Sequence, residues 1–287
     1  MNLYANVNQF KAAFSLTDST NDDNFVRLLG EASRLIDKYC ERFFYLWEGT
    51  RYYDGGGVRV VLDDDIYSFT TLDCDTDGDG VYESSYTLDV SGTAQPDAFT
   101  YPYPRMLYWP KTRIEANPWG HYGHFGSGIR SAVKIVGVFG YGNDYPAPAY
   151  VDSGETVQDV SMTAAQLTMT TSGITLSAGQ TIKVGSEQMF ISAFTPSNKT
   201  ATIQRGINGT TAAIHLQNAP ISVYQYPDAI TQACLVHSMR QWKRRESAFQ
   251  NVVGDVNTGI TNVYKGIDPD VQEIIKEYKR SRIGKYF

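Results

Sequence analysis

Asp73 to Glu83 form the most distinctive chemical pattern in the sequence, DCDTDGDGVYE. Alternating acids followed by glycine open a calcium loop, in which carboxylate oxygens surround a hard cation on a tight turn. The twelfth position lacks the usual glutamate: it is Ser84 counted from Asp73 and Tyr86 counted from Asp75. A shortened loop would use four acids to hold Ca²⁺: Asp75, Asp77, Asp79 and Glu83. The alternative is a solvated β-hairpin turn, in which Asp-Gly supplies positive φ angles.

Two histidines, His121 and His124, stand three residues apart and could bind a transition metal. No cysteine or further histidine lies near them in the sequence, and their loop is rich in glycine. An exposed aromatic loop is therefore the favoured interpretation.

A basic run surrounds Trp242 in the last third of the chain. It could contact nucleic acid or an acidic surface of a protein partner, and the plain alternative is a solvated helix face. The residues of this possible partner contact are Arg240, Trp242, Lys243, Arg244 and Arg245.

Signatures of catalysis are missing from the sequence. It contains no nucleophile elbow, no phosphate-binding P-loop and no HExxH motif. Its three cysteines are scattered, which excludes a disulfide framework and favours a reducing compartment. We predict that the protein is not an enzyme; a metal-assisted hydrolase would need a buried cluster of carboxylate and histidine.

Helical periodicity marks both ends of the chain. An apolar stripe predicts a long helix over 22–44, after a shorter one at 7–14. A proline followed by an aspartate opens a further helix over 227–249, and a last helix starts near Asp268 and ends by Gly284.

Strand-forming residues dominate the middle of the chain. Residues 48–140 alternate strands with turns, except for a loop with aromatic anchors at 101–126. Residues 150–226 are rich in Thr, Ser, Gln and Gly, which predicts a small β-barrel or sandwich. No stretch is long and apolar enough to predict a membrane span, and the N-terminus does not have the pattern of a secretory signal.

Charge is distributed unevenly over the 287 residues, whose formal net charge is -6. Residues 1–110 contain 18 acids and 8 bases, a net of -10, residues 111–226 have a net of +1, and residues 227–287 contain 7 acids and 10 bases, a net of +3. The acidic balance argues against a protein that grips duplex DNA, since neutralisation of phosphates dominates that affinity.

Four stretches resemble the head-tail connector (adaptor, or head-completion) proteins of tailed bacteriophages. NDDNFVRLLGEASRLIDKYCERFFY resembles the opening helix of that family, and LDCDTDGDGVYE resembles its Asp-Gly hairpin. VKIVGVFGYGNDYP followed by PDAITQACLVHSMRQWKRRESAF is similar to its closing strand and Trp-basic helix. The resemblance covers roughly 1–145 and 227–250; residues 150–226 depart from it and resemble β modules scattered through phage structural proteins.

The resemblance implies an α+β fold. A helical adaptor core, with a long N-terminal helix and C-terminal helices, would carry antiparallel β regions and an inserted small all-β domain. The core would comprise 1–149 and 227–250, the insertion 150–226, and a C-terminal docking arm 251–287. Residues 150–226 should fold independently, because they interrupt a turn that normally joins directly.

In function, the resemblance implies a structural protein of the virion. It would form a homo-oligomeric, usually dodecameric ring between the portal protein and a tail, stopper or tail-completion protein. Such a ring is assembled in the host cytoplasm and extends the channel through which DNA leaves the capsid, without sequence-specific binding and without a membrane. The alternative is a β-rich virion protein that binds a receptor or glycan and uses the calcium loop.

The C-terminal arm is the expected docking segment. We expect it to be mobile in the free monomer and ordered against the portal or a neighbouring subunit, because so short a helix is marginal alone. Its docking residues would be Val271, Ile274, Ile275, Tyr278, Arg280, Arg282 and Lys285. The competing idea is that this helix packs on its own core.

Overall fold

The computed structural model describes residues 2–89, 95–102, 110–144, 147–244, 252–254, 261–263 and 267–280. Contacts divide the chain into two compact units. Residues Arg42–Ala147 form the first, which we call the all-β unit. Residues Met1–Glu41 and Pro148–Arg280 form the second, which we call the helix–sheet unit.

The all-β unit contains one antiparallel sheet of six strands, in the order β1-β6-β2-β5-β4, with β3 paired to β2. Its strands are β1 (Trp47–Tyr53), β2 (Arg59–Cys74), β3 (Ser84–Ser85), β4 (Ala98–Tyr101), β5 (Lys111–Ala116) and β6 (Val133–Phe139). Along β6 every second side chain is buried, which is the period that places alternate residues on one face of a sheet. The buried residues Val133, Ile135 and Phe139 therefore join the core of this unit.

A second antiparallel sheet of six strands lies in the helix–sheet unit, in the order β7-β14-β10-β11-β12-β9. The strands of this region are β7 (Tyr150–Thr156), β8 (Ser161–Met162), β9 (Thr168–Thr170), β10 (Thr181–Val184), β11 (Glu187–Thr195), β12 (Thr200–Gln204), β13 (His215–Leu216) and β14 (Pro220–Tyr224). β8 and β13 form a separate pair, and further along the chain β15 (Val252–Gly254) pairs with β16 (Thr261–Val263). The sheet has its own apolar core, which includes Met189 and Ile191.

The helices of the described residues all belong to the helix–sheet unit. They are α1 (Val7–Phe14), α2 (Asp22–Cys40), α3 (Asp228–Arg244) and α4 (Pro269–Ile275), and a 3₁₀ turn, Lys276–Tyr278, follows the last. Aromatic rings join three of them: Phe10 lies 4.6 Å from Phe25, and Phe25 lies 4.9 Å from Trp242, measured between ring centroids. The apolar stripe that predicted α2 thus faces α1 and α3.

The expected fold class is wrong, because the described residues are mostly β and do not form a helical core with a long N-terminal helix. The predicted helix at 22–44 does form, but it ends at Cys40, where Glu41 takes a left-handed conformation with φ 55°. Both large sheets bury apolar cores of their own. The helices are therefore a minor part of the fold, because alternating sequences supply most of the buried apolar surface.

The segment predicted as a loop at 101–126 also differs from expectation, since it includes strand β5. Its sequence KTRIEA pairs with β2 and β4, and Ile114 and Ala116 are buried. The prolines and glycines on either side of this six-residue strand are typical of loops, and they surround a segment that pairs in the sheet.

The predicted division into domains can be set beside the two units. The N-terminal helices group with residues 148–280, whereas 42–147 group separately. Val7 N donates to Ala178 O at 3.0 Å, and Thr181 Oγ1 donates to Asn2 Oδ1 at 2.9 Å, so the N-terminal segment is bonded to the segment 177–181. Independent folding of 150–226 stays a prediction.

Candidate functional site

The acidic turn, residues 75–83, connects β2 to β3. The two strands pair antiparallel at Cys74 and Ser84, so the pattern of alternating acids forms the tip of a hairpin. Gly78 and Gly80 have φ angles of +86° and +89°, a region that costs glycine little and L residues more. The two glycines thus let the local sequence fold back on itself, and bonds from Asp75 N to Ala132 O and from the Tyr82 hydroxyl to Ser131 O fix the turn to its unit.

Backbone N–H groups of the turn are bonded to its own carboxylates. Asp75 Oδ1 accepts from Gly78 N at 2.7 Å, and Asp75 Oδ2 accepts from Gly80 N at 2.9 Å. Asp79 Oδ1 likewise accepts from Val81 N at 2.7 Å. These bonds are those of Asx turns, in which an aspartate holds the backbone two or more residues ahead.

Glu83 closes the turn from its far end. Its Oε1 accepts from Thr76 N at 3.0 Å and from the Thr76 hydroxyl. The Thr76 hydroxyl and backbone donors hold the pKa of Glu83 below its usual value. For Asp75, burial alone would raise the pKa, but the N–H donors of Gly78 and Gly80 outweigh it and the pKa is lowered.

Four carboxylates converge at this turn. One oxygen each from Asp75, Asp77, Asp79 and Glu83 lies within 4.8 Å of the others. Several carboxylate oxygens at this spacing suit Ca²⁺, which prefers six to eight oxygen ligands. The hydrogen bonds inside the turn equally suit a hairpin that needs no ion. The predicted calcium site is thus assembled in space, and ion binding stays a prediction.

The two histidines of the 117–125 segment do not join a larger metal-ligand group in the part of the chain that the structure describes. Their backbones anchor the segment instead. His121 N donates to Asp97 Oδ1 at 2.8 Å, and His124 O accepts from the Tyr86 hydroxyl at 2.6 Å. Both side chains are exposed, as expected for an aromatic surface loop.

The basic run around Trp242 makes contacts inside the helix–sheet unit. Arg240 forms ion pairs with Asp268 and with Asp270, the second at 2.6 Å. The Trp242 ring packs edge-on against Phe25, and the Lys243 ammonium lies 5.7 Å from the Phe14 ring centroid. Arg244 also has an interaction partner, and Arg245 lies outside the described residues.

The expected docking arm is partly folded against its own chain. Val271, Ile275 and Tyr278 are 1%, 0% and 7% exposed. We expected these residues to stay available for docking. Their burial instead matches the competing idea, a helix packed on its own core. Ile274 is half-buried.

The last described residues of the arm contact the C-terminal end of α2. Arg280 N donates to Cys40 O at 2.8 Å, and the Lys279 ammonium lies 5.3 Å from the Tyr39 ring centroid. Arg282 and Lys285 lie outside the described residues. Their predicted docking role therefore stays a prediction.

Sequence reasoning missed a buried ionic cluster between β11 and β13. Glu187 is fully buried and accepts two bonds from Arg205, from Nε and Nη2, both at 2.7 Å. His215 Nε2 lies 2.8 Å from Glu187 Oε2. Burial would raise the pKa of Glu187, but these donors and those of Gly206 and Ala213 lower it to about 2.

Nothing in residue spacing alone marked this cluster. Its members lie in the segment 150–226, where the sequence indicated only a small β domain. Arg205 also donates to the backbone oxygens of Thr163 and Ala213, so the cluster fixes the loops around it. An arginine and a histidine in a β segment with few other charges would have been a usable signal.

Comparison of the sequence with protein-family models and with curated proteins gives no match. Within the described ranges, no helix has the length and apolar character needed to cross a membrane. The fold and sites define a β-rich chain with an acidic hairpin on one unit and a helix cluster on the other.

Proposed function

We propose that this chain is a structural virion protein that forms a ring between the capsid portal and the tail and extends the DNA channel. The role is that of an assembly protein rather than an enzyme. Its partners are further copies of itself, the portal protein and a tail-side completion protein, and DNA passes through without sequence-specific binding.

Packing of α2 against α3 carries this proposal. Helix α2 lies within the stretch 21–45, and helix α3 lies within the stretch 227–249; both stretches resemble connector proteins. Ser33 Oγ on α2 lies 3.6 Å from Cys234 Sγ on α3, although the residues are 201 positions apart. Phe25 and Trp242 extend the contact. Two distant stretches of one resemblance therefore meet in one helix cluster, as they should if the resemblance reflects a common architecture.

Charge and composition support the same role. A net charge of -6 suits a channel wall along which DNA must slide, since phosphate-binding bases would hold it. Tyrosine occurs 20 times, and tyrosine is enriched in permanent protein interfaces.

The mass of the purified full-length chain, alone and with its portal protein, tests the proposal. We expect a closed ring, alone or on the portal, in native mass spectrometry and negative-stain images. A chain that stays monomeric both alone and in the presence of the portal would contradict it.

Attachment to the portal can be tested separately with two charge-matched double variants. Arg282→Ala with Lys285→Ala should abolish attachment, because these bases would meet acidic groups of the portal. Lys276→Ala with Lys279→Ala removes two bases from the preceding turn and should leave attachment intact. Equal attachment by both variants would show that the last residues do not dock there.

A second candidate is a β-rich virion protein that binds a receptor or glycan through a calcium loop. The convergence of four carboxylates at the acidic turn favours it. On a glycan array, this candidate predicts binding that chelation removes and that Asp77→Asn with Asp79→Asn weakens. Asp73→Asn is the matched control, because Asp73 lies beside the cluster and is not part of it. Binding that persists in a chelator would remove this candidate.

A further inference from the structure

The two large sheets have four terminal strands, β1 and β4 in one and β7 and β9 in the other. A terminal strand leaves one row of N–H and C=O groups open unless something covers it. In the helix–sheet unit the two ends close on each other, because Val157 bridges to Thr171 and Gln158 N donates to Thr170 O at 2.8 Å. A shift of register between β7 and β14 protects the rest of β7, since such bulges deter pairing.

Strand β4 of the all-β unit is covered by the segment 87–89. Leu88 and Ala98 form a parallel bridge, and Ala98 N donates to Thr87 O at 3.0 Å. Asp89 Oδ1 accepts from Thr100 N at 3.0 Å. Three of the four terminal strands are thus covered or bulged by the chain itself.

Strand β1 is the exception. It pairs with β6 at seven consecutive positions without a shift of register, and its sequence, WEGTRYY, contains neither proline nor lysine. Residues of an antiparallel strand turn their N–H and C=O groups alternately towards and away from the paired strand, so two of the four residues from Gly49 to Tyr52 present theirs away from β6. In the part of the chain that the structure describes, no backbone group outside β6 bonds to these four residues. Such a regular, open edge is a template for a further strand.

The two-stranded ribbon of β15 and β16 has the opposite need. Its strands pair at three positions, from Val252 with Val263 to Gly254 with Thr261. The ribbon belongs to neither six-stranded sheet. An isolated pair of strands is at best marginally stable in water, and a third strand is needed for it to persist. The ribbon therefore requires the edge of another sheet beside it.

Charge does not oppose the pairing of the ribbon with β1. The six residues of β15 and β16 include no charged side chain. On β1, the Arg51 guanidinium is already paired with Asp64, at 2.9 Å from Nη2 to Oδ2. A ribbon strand beside β1 therefore places no like charges opposite each other, an arrangement that would destabilise a strand pair.

We propose that the β15–β16 ribbon of one copy adds to the open edge of β1 in a second copy of this chain. Every copy carries both halves of this contact, and within one copy the ribbon and β1 belong to separate sheets. The ribbon and the edge are different surfaces, so the contact is heterologous and repeats from copy to copy until a ring closes. This inference rests on the proposed ring and names the backbone contact between its subunits.

Hydrogen exchange of the full-length chain tests the contact. Outward amides among residues 49–52 should exchange at least about tenfold more slowly in the ring than in the dilute monomer, because a strand of the second copy then accepts from them. Amides of β6, which lies between β1 and β2, are bonded in both states and serve as the internal control. Slow exchange already in the monomer would mean that the same copy covers β1, and slowing that requires the portal protein would assign the edge to that partner; either result would overturn the inference. Unchanged exchange in the ring would also overturn it and leave the proposed function standing.

Replacement of the ribbon tests the other half of the contact. A Gly-Ser segment of equal length in place of residues 252–263 should weaken self-association in sedimentation velocity by at least about tenfold, because it removes the strands whose backbone bonds to β1. The matched control replaces only residues 255–260, which join the two strands, and should associate like the wild type. If the longer replacement does not fold, exchange at β1 in the wild type decides. Rings that form as readily after the longer replacement would overturn the inference and leave the proposed function standing, whereas a wild-type chain that never associates, alone or on the portal, would overturn both.

Discussion

A charged cluster of the helix–sheet unit and a charged turn of the all-β unit lie in opposite surroundings. The sheet of the helix–sheet unit encloses Glu187 and Arg205, which are 0% and 5% exposed at their side chains. The all-β unit instead gathers Asp77, Asp79 and Glu83 at an exposed turn. The charge of the Glu187 cluster organises the interior, whereas the charge of the acidic turn is available to solvent, ions or partners.

Solvation explains the contrast. A buried carboxylate must find donors for all its oxygens, because desolvation otherwise costs several kcal/mol. Glu187 meets that demand with the Arg205 fork, His215 and two backbone N–H groups. The acids Asp77, Asp79 and Glu83 are exposed and accept only from donors of their own turn.

The largest effect should come from the buried ion pair. Glu187→Gln should destabilise the protein by about 3–5 kcal/mol, because it leaves the Arg205 charge buried without its counter-charge. Urea unfolding measures this change. Glu115→Gln is the control, since the Glu115 pairs with Arg59 and Arg113 are partly exposed and should be worth at most about 1 kcal/mol. Equal losses in both variants would erase the contrast between the sheets.

The next largest effect should be on the pH dependence of stability, to which Asp37 on α2 contributes. Burial is the main cause that raises its pKa to about 6, against the nearby Arg34 charge and the Tyr4 hydroxyl, which lower it. The folded state then binds this proton more tightly than the unfolded state, whose value is 3.8. Its stabilising contribution is present below pH 3.8 and is lost as pH rises through about 6.

Asp37→Asn should therefore flatten the dependence of stability on pH between 4 and 6, by about 2–3 kcal/mol at most. Urea unfolding at a series of pH values checks this. Asp63→Asn, at an exposed position of β2, is the control and should leave the slope unchanged. A wild-type slope in Asp37→Asn would show that another group titrates.

Substitution of Asp97, which accepts from His121 N and so holds the loop at residues 117–124, should have a smaller, local effect. Asp97→Ala removes the acceptor of the N–H bonds from Thr87 and His121 and of the Thr87 hydroxyl bond, and it should cost about 1–3 kcal/mol. Hydrogen exchange should accelerate at residues 117–124 while the β11 amides keep their protection. Uniform acceleration across the chain would mean that Asp97 supports the whole fold rather than the loop at residues 117–124.

Calcium should produce the smallest effect. The turn lacks the bidentate twelfth-position glutamate, so we expect weak binding or none; an ion at its dissociation constant stabilises by only about 0.4 kcal/mol. A small rise in melting temperature in wild type, absent in Asp77→Asn with Asp79→Asn and retained in Asp73→Asn, would assign the ion to the four carboxylates. A large rise would mean that a ligand supplied elsewhere completes the site.

Local patterns were sufficient for several elements of this protein. The apolar period of 3.6 located α2, and the alternating acids and glycines located a turn whose carboxylates do converge. The strand-rich middle was also recognised, because β-branched and aromatic residues alternate there. Each of these features is decided within about twenty residues, where the sequence contains all the interacting groups.

Other features depended on contacts between distant residues, and only the tertiary structure decided them. The fold class was misjudged because a helix pattern at each end says nothing about how much core the sheets between them bury. Glu187 and Arg205 meet across 18 positions, and the burial of Val271 depends on how α4 packs against the rest of its unit. Burial and long-range pairing are properties of the assembled chain, because water is excluded only where separate segments come together.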